Sequence, residues 1–130
     1  MNSVRLEIVY PNRPATADLP QILQQQWRST LGAEVIPAVR EEKAWMQARG
    51  SLAYQGVAES GIIGDYLDPN TFLEAFLSGA DVGGSGWSDP QYDAMLAAAN
   101  AETRTGERMR RLAACERHLL RAMPASCIER

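Results

Sequence analysis

Gly64-Asp65-Tyr66-Leu67-Asp68-Pro69-Asn70-Thr71-Phe72-Leu73 is the stretch on which the fold turns. It follows an apolar, strand-like run and opens at once into a helical pattern. Asp68 carries the side-chain oxygen that a helix N-terminus needs as a cap. Pro69 suits the first helical position, where its missing N–H has no partner to lose. Phe72, Leu73, Phe76 and Leu77 recur at helical spacing and predict one buried face. Asp65 and Tyr66 are left at the strand-to-helix corner. In α/β proteins that corner, beyond the carboxyl end of a strand, is where ligands bind.

Working outward, Val4-Arg5-Leu6-Glu7-Ile8 alternates apolar and polar and predicts a half-buried strand, broken by Pro11-Asn12-Arg13-Pro14. A helix is expected over 18–31, with Leu19, Ile22, Leu23, Gln26, Trp27 and Leu31 on one face. Asp18 is its expected cap, Pro20 falls in its first turn, and Gly32 stops it. Ala33-Glu34-Val35-Ile36 reads as a second strand that Pro37 pushes toward a sheet edge or a strand end. Strand, helix and strand in this order predict a βαβ unit with parallel strands. A short helix over 41–49 should hold Trp45 and Met46 inward. Residues 52–63 read as a loose strand region, where Gly56, Gly61 and Gly64 allow a backbone or ligand to come close.

Residues 80–86 are glycine-rich and read as a surface loop. Ser88-Asp89-Pro90-Gln91 reads as a capping box, and its helix carries Tyr92, Met95, Leu96 and Ala99 inward. A last helix over 105–122 has Met109, Leu112, Cys115, Leu119 and Met123 as its stripe, and Pro124 ends it. The order β-α-β-α-β-α and then two helices predicts an α/β fold, an open sheet with helices packed on it.

At 130 residues the chain is expected to be one domain. A net charge of −3 argues against a general nucleic-acid binder, which is usually basic. No apolar run approaches the roughly 20 residues of a membrane span, and no charged-then-apolar leader follows Met1. Cys115 and Cys127 do not make a disulfide framework. With His118 as the one histidine, a zinc site or a Ser-His-Asp site lacks raw material. No cofactor is implied.

Four motifs carry a family resemblance. Gly61-Ile62-Ile63-Gly64-Asp65-Tyr66-Leu67-Asp68-Pro69, followed by Phe72-Leu73, resembles the signature of the peptide- and nickel-binding class (family 5) of ABC-transporter solute-binding proteins. Leu19-Pro20 through Gln26-Trp27 to Leu31-Gly32 resembles a helix of that class. Gly86-Trp87-Ser88-Asp89-Pro90-Gln91-Tyr92-Asp93 and the run from Glu107-Arg108 through Cys115-Glu116 to Met123-Pro124 resemble two more of its elements, in the right order. The resemblance implies one lobe of a periplasmic-binding-protein type II fold. It implies that residues 1–130 are a single partial lobe, the C-terminal one, from a longer two-lobed protein. It also implies a periplasmic or cell-surface location, peptides or another small solute as ligand, and ABC-transporter membrane subunits as partners. An isolated lobe is expected to self-associate through apolar surface that normally meets the rest of the protein.

The resemblance further places at Asp65 the carboxylate that pairs with the α-amino group of a bound peptide. An ammonium needs a well-oriented charged acceptor. A turn residue satisfying nearby N–H groups is the plainer alternative. Tyr66, Ile62 and Trp87 are the other candidate ligand-binding residues, though Tyr66 and Trp87 also suit packing. Ile62 stands where the class usually has a tryptophan, so the resemblance does not carry over an aromatic side-chain pocket; Gly83-Gly84 stand where it has asparagines, which implies a remodelled or looser site there. Asp68 reads as a cap, Trp27 and Trp45 as core, and His118 as structural, without a visible acid partner. Arg108, Arg110, Arg111, Arg117 and Arg121, interleaved with Glu107 and Glu116, read as a solvated face. Gly83-Gly84-Ser85-Gly86 lacks the lysine of a phosphate loop. Two functions of different classes remain. One is a solute-binding lobe. The other is a free-standing interaction or regulatory domain that uses its last two helices. An enzyme finds no nucleophile, base and orienter among these residues.

Overall fold

Arg5–Pro11 form the first strand, β1, in the computed structural model of the chain, which describes residues 4–14, 17–80, 85–122 and 124–125. The helix α1 (Leu19–Leu31), strand β2 (Glu34–Arg40), helix α2 (Glu42–Gly50) and short strand β3 (Gly56–Ala58) follow. These belong to one compact unit, Met1–Ser60. The sheet order is β2-β1-β3, with β1 parallel to both neighbours. The expected parallel pairing of the first two strands is present, in register from Arg5 opposite Glu34 to Pro11 opposite Arg40.

Central placement changes the burial of β1. A half-buried alternating strand was expected, yet Ile8, Val9, Tyr10 and Pro11 are all buried. Ile8 and Tyr10 pack with Ala33, Val35, Leu23 and Trp27 on the α1 side. Val9 points to the opposite face, as pleating requires, and α2 also packs against β1. A strand paired on both edges and covered on both faces has no solvent side to alternate toward. Pro37 sits in the middle of β2, an edge strand, where its lack of an N–H removes no ladder bond on the open side.

Three local expectations need correction here. Asp18 flanks α1 with helical backbone angles and makes no side-chain cap; Pro20 in the first turn and Gly32 at the end bound the helix instead. Met46 is exposed while Trp45 and Ala48 are buried, because residues one apart point some 100° apart and only three- or four-residue spacing shares a face. The loose strand over 52–63 narrows to three residues. Gly56 explains where pairing survives. Its φ is +133°, and a Cβ there would stand 2.3 Å from the Glu7 carbonyl oxygen. The close backbone approach expected of this glycine is the approach of β3 to β1.

The second unit, Gly61–Arg130, is helical among its described residues. A single α-turn, α3 (Asn70–Leu73), tightens into a 3₁₀ turn (Glu74–Phe76); α4 (Pro90–Ala101) and α5 (Thr105–Ala122) follow and pack on each other. Tyr92, Leu96 and Ala99 of α4 meet Leu112, Cys115 and Leu119 of α5 and Leu73, with Met95, Phe76, Leu77 and Trp87 at the edges. Both helical stripes thus face inward as expected, except that Met109 is exposed and Met123 lies outside the described residues. Gly83, Gly84 and Cys127 also lie outside them. No helix among the described residues is long and apolar enough to cross a membrane.

Candidate functional site

The corner at 64–74 is built differently from a simple amphipathic entry. Phe72 is 48% exposed, while Asn70 and Thr71 are buried with Leu73 and Ala75. One α-turn followed by a 3₁₀ turn does not keep the 3.6-residue period that the apolar pattern assumed. Phe72 instead lies over Gly64: a Cβ on Gly64 would come within 3.0 Å of both the Phe72 ring and the Thr71 methyl.

The two buried polar residues hold the corner. The Asp65 N–H donates to Thr71 Oγ1 at 2.9 Å. Asn70 Nδ2 donates to the Tyr66 hydroxyl at 2.7 Å and to Glu74 Oε2 at 3.0 Å. Asn70 Oδ1 accepts from Asn100 Nδ2 of α4 at 2.9 Å. Asp68 Oδ1 accepts the Asn70 N–H at 2.9 Å, the capping role expected of it. Asp68 does more than cap. Arg108 of α5 donates to both of its oxygens, at 2.6 and 3.0 Å, in the forked geometry of a guanidinium–carboxylate pair. The Arg108 hydrogen bond, more than any other influence, holds the Asp68 carboxyl below its usual range. Loss of water around the Tyr66 phenol pushes it above its usual range, and Glu74 adds to this. Arg108 is therefore not part of a purely solvated face, whereas Arg110 and Arg111 pair with Glu107 and Glu102 at the surface.

Asp65, Tyr66 and Leu67 are exposed, and Ile62 is half-buried. Trp87 sits apart from this network, at the approach to α4. Its ring meets Tyr92 edge-on, with centroids 5.1 Å apart, and packs at the border of the helical core. Asp89, not Ser88, caps α4: its Oδ1 accepts the N–H groups of Gln91 at 2.8 Å and Tyr92 at 3.3 Å. Ser88 Oγ turns to Ser78 Oγ instead. The expectation that His118 lacks an acid partner is corrected, for His118 Nε2 lies 2.7 Å from Asp89 Oδ2. Sequence reasoning missed Asn100 and Arg108 because their partners are 30 and 40 residues away. Asn70 gave no signal either, although Tyr66 and Glu74 lie four residues to either side of it, because a polar residue off the apolar stripe reads as exposed. Among the described residues no group of three or more His, Cys, Asp or Glu side chains is set to hold a metal ion.

No family model matches the chain. Among curated proteins it is 29% identical over 97 residues to the dipeptide-binding protein DppE of Bacillus subtilis, covering 75% of this chain and 18% of that protein. It is 27% identical over 125 residues to the oligopeptide-binding protein OppA of the same organism, covering 95% of this chain and 23% of OppA. Among solved structures, a periplasmic oligopeptide-binding protein, OppAIV of Borrelia burgdorferi, superposes with a TM-score of 0.88 at 26% identity, over 95% of this chain and 25% of its own. The chain thus spans about a quarter or less of each of these three proteins. By sequence and by fold it is similar to dipeptide- and oligopeptide-binding proteins, and it shares the α/β architecture of that part of their chain.

Proposed function

We propose that residues 1–130 form a partial lobe of a two-lobed solute-binding protein of an ABC importer, that its ligands are peptides, and that Asp65 anchors their α-amino group. The observation that carries this reading is the similarity, over three quarters of the chain or more, to dipeptide- and oligopeptide-binding proteins. The corner at 65–68 adds support: it offers an exposed carboxylate on a backbone that buried side chains hold in place. Function in this reading is reversible capture between two lobes that close by a hinge, then delivery to membrane subunits, with no bond made or broken. The location is periplasmic or cell-surface. Ile62 and Tyr66 flank the amino-terminal end of the peptide, and Trp87 reaches it from the α4 side.

The test is calorimetry with tri-alanine and its N-acetylated form on the two-lobed protein. Asp65→Asn removes the charge that partners a buried ammonium, at a cost of about 3–5 kcal/mol, so free-amine affinity should fall at least about a hundredfold. The N-acetylated peptide should bind poorly before and after the change. A loss of less than about threefold for the free-amine peptide would make Asp65 a turn residue and end the anchor reading.

A further inference from the structure

Asp68, Arg108, Asn100 and Asn70 close into a ring. Arg108 grips Asp68 at 2.6 and 3.0 Å. Arg108 Nη2 also approaches Asn100 Oδ1 at 3.5 Å, a long contact. Asn100 Nδ2 donates to Asn70 Oδ1 at 2.9 Å, and the Asn70 N–H returns to Asp68 Oδ1 at 2.9 Å. The ring takes one residue from the corner, one from α3, one from α4 and one from α5. Two branches leave it for the exposed residues: Asn70 Nδ2 to the Tyr66 hydroxyl, and the adjacent Thr71 Oγ1 to the Asp65 N–H.

We propose that Arg108 is the positioning residue of this corner, setting where the Asp65 carboxylate and the Tyr66 ring stand although it touches neither. Burial explains why such a device is needed. Residues 65–67 are exposed, Leu67 fully so and Tyr66 about half, and none of them belongs to the buried core. A loop of this kind moves freely unless polar bonds tie it down, and a mobile acceptor binds weakly because ordering it costs free energy on binding. Arg108 and Asp68 are 25% and 27% exposed, shielded enough for a forked pair to hold one geometry. Arg108 also stands on the long helix one turn before Leu112, on the same face that Leu112, Cys115 and Leu119 lock into the core. The ring therefore transfers the rigidity of the α4–α5 core to an otherwise unsupported corner. A lysine could replace the charge but not the fork.

The significance of Arg108 for binding rests on the peptide-anchor reading, while its positioning role is readable without any ligand. Backbone ¹⁵N relaxation on the 130-residue chain gives that readout. Arg108→Ala should lower the order parameters of residues 65–68 from about 0.85 to below about 0.6, with amides of Leu96 and Leu112 unchanged. Arg108→Lys should restore them in part. Asn100→Ala keeps the ion pair and opens the ring, and should loosen Tyr66 more than Asp68. Unchanged order at 65–68 in Arg108→Ala overturns the proposal. If that variant does not fold, full order in Arg108→Lys together with an unchanged Asn100→Ala overturns it as well. In the two-lobed protein, Arg108→Ala should weaken tri-alanine binding at least about tenfold on the native background and little when Asp65→Asn is already present, the coupling expected of residues acting as a unit. Failure of tri-alanine to bind at all ends the anchor reading, and the relaxation result then decides the positioning role by itself.

Discussion

Single residues carry two of the sharpest expectations. Gly56 combines a φ of +133° with a Cβ position already taken by the Glu7 backbone, so Gly56→Ala strains the chain and separates β3 from β1. The cost should be at least about 2 kcal/mol, a strained φ and a steric clash together. A denaturant midpoint within error of the native chain would show that β3 is dispensable. Asp89 gives a pH dependence. Its carboxyl is held below the ordinary range, first by the His118 hydrogen bond and then by the N–H groups of α4. Between the native and unfolded values the unfolded chain binds more protons. The contribution is therefore complete above the ordinary carboxylate range near about 4 and disappears as pH falls through the native value. His118→Gln should move the Asp89 titration up toward its ordinary range and shift acid unfolding to higher pH. A ¹³C carboxyl titration that does not move would assign the depression to the cap alone. The sequence displayed a helix start at 88–91, because a cap is a matter of neighbours, but assigned the capping box to Ser88 where Asp89 does the capping. It concealed the His118 partner, 29 positions away, because only tertiary packing brings the two together.

At the level of elements, periodicity was legible in the two long helices that pack on each other, whereas in α1 only Leu23 and Trp27 of the expected face pack on the core and Ile22, Gln26 and Leu31 are exposed. The stripes of α4 and α5 emerged at the expected residues except for the exposed Met109, and the bounds of α1 and α5 fell within a residue of those expected. Short elements obeyed their surroundings instead. The four-residue α3 turned Asn70 and Thr71 inward and Phe72 outward, and the nine-residue α2 kept Trp45 but released Met46. In one or two turns, a few tertiary bonds outweigh the weak preference of a stripe. Paired truncations test this. Leu73→Ala, emptying a buried site beside Tyr92 and Leu96, should cost about 2–5 kcal/mol. Phe72→Ala, half in solvent, should cost under about 1 kcal/mol. Equal losses in urea unfolding would restore the regular amphipathic reading of this turn.

Across the molecule, apolar surface is left uncovered on both compact units. Ile22, Leu31, Val39 and Met46 are exposed in one, and Ile63, Leu67 and Phe72 in the other. The sheet ends in the edge strands β2 and β3. Exposed apolar side chains and unpaired strand edges seek partners, so the 130-residue chain by itself should self-associate. Sedimentation velocity at high concentration tests this, and a single monomeric boundary would count against it. The α/β class and the parallel β1–β2 pair were readable from pattern alone, since a strand, a capped helix and a strand leave few topologies. The position of β1 between its two partners was not, because strand order depends on which edges find each other. That order has a kinetic consequence. Of the three strands of this sheet, the earliest in the sequence is completed last: β1 waits for residues 34–40 on one side and 56–58 on the other, while α4 and α5 close on each other through contacts near in sequence. Loop closure should therefore limit formation of the sheet, with the helical pair forming well before it. A nascent chain released before residue 58 would keep the buried, apolar half of β1 open along one edge, a ready target for holding chaperones.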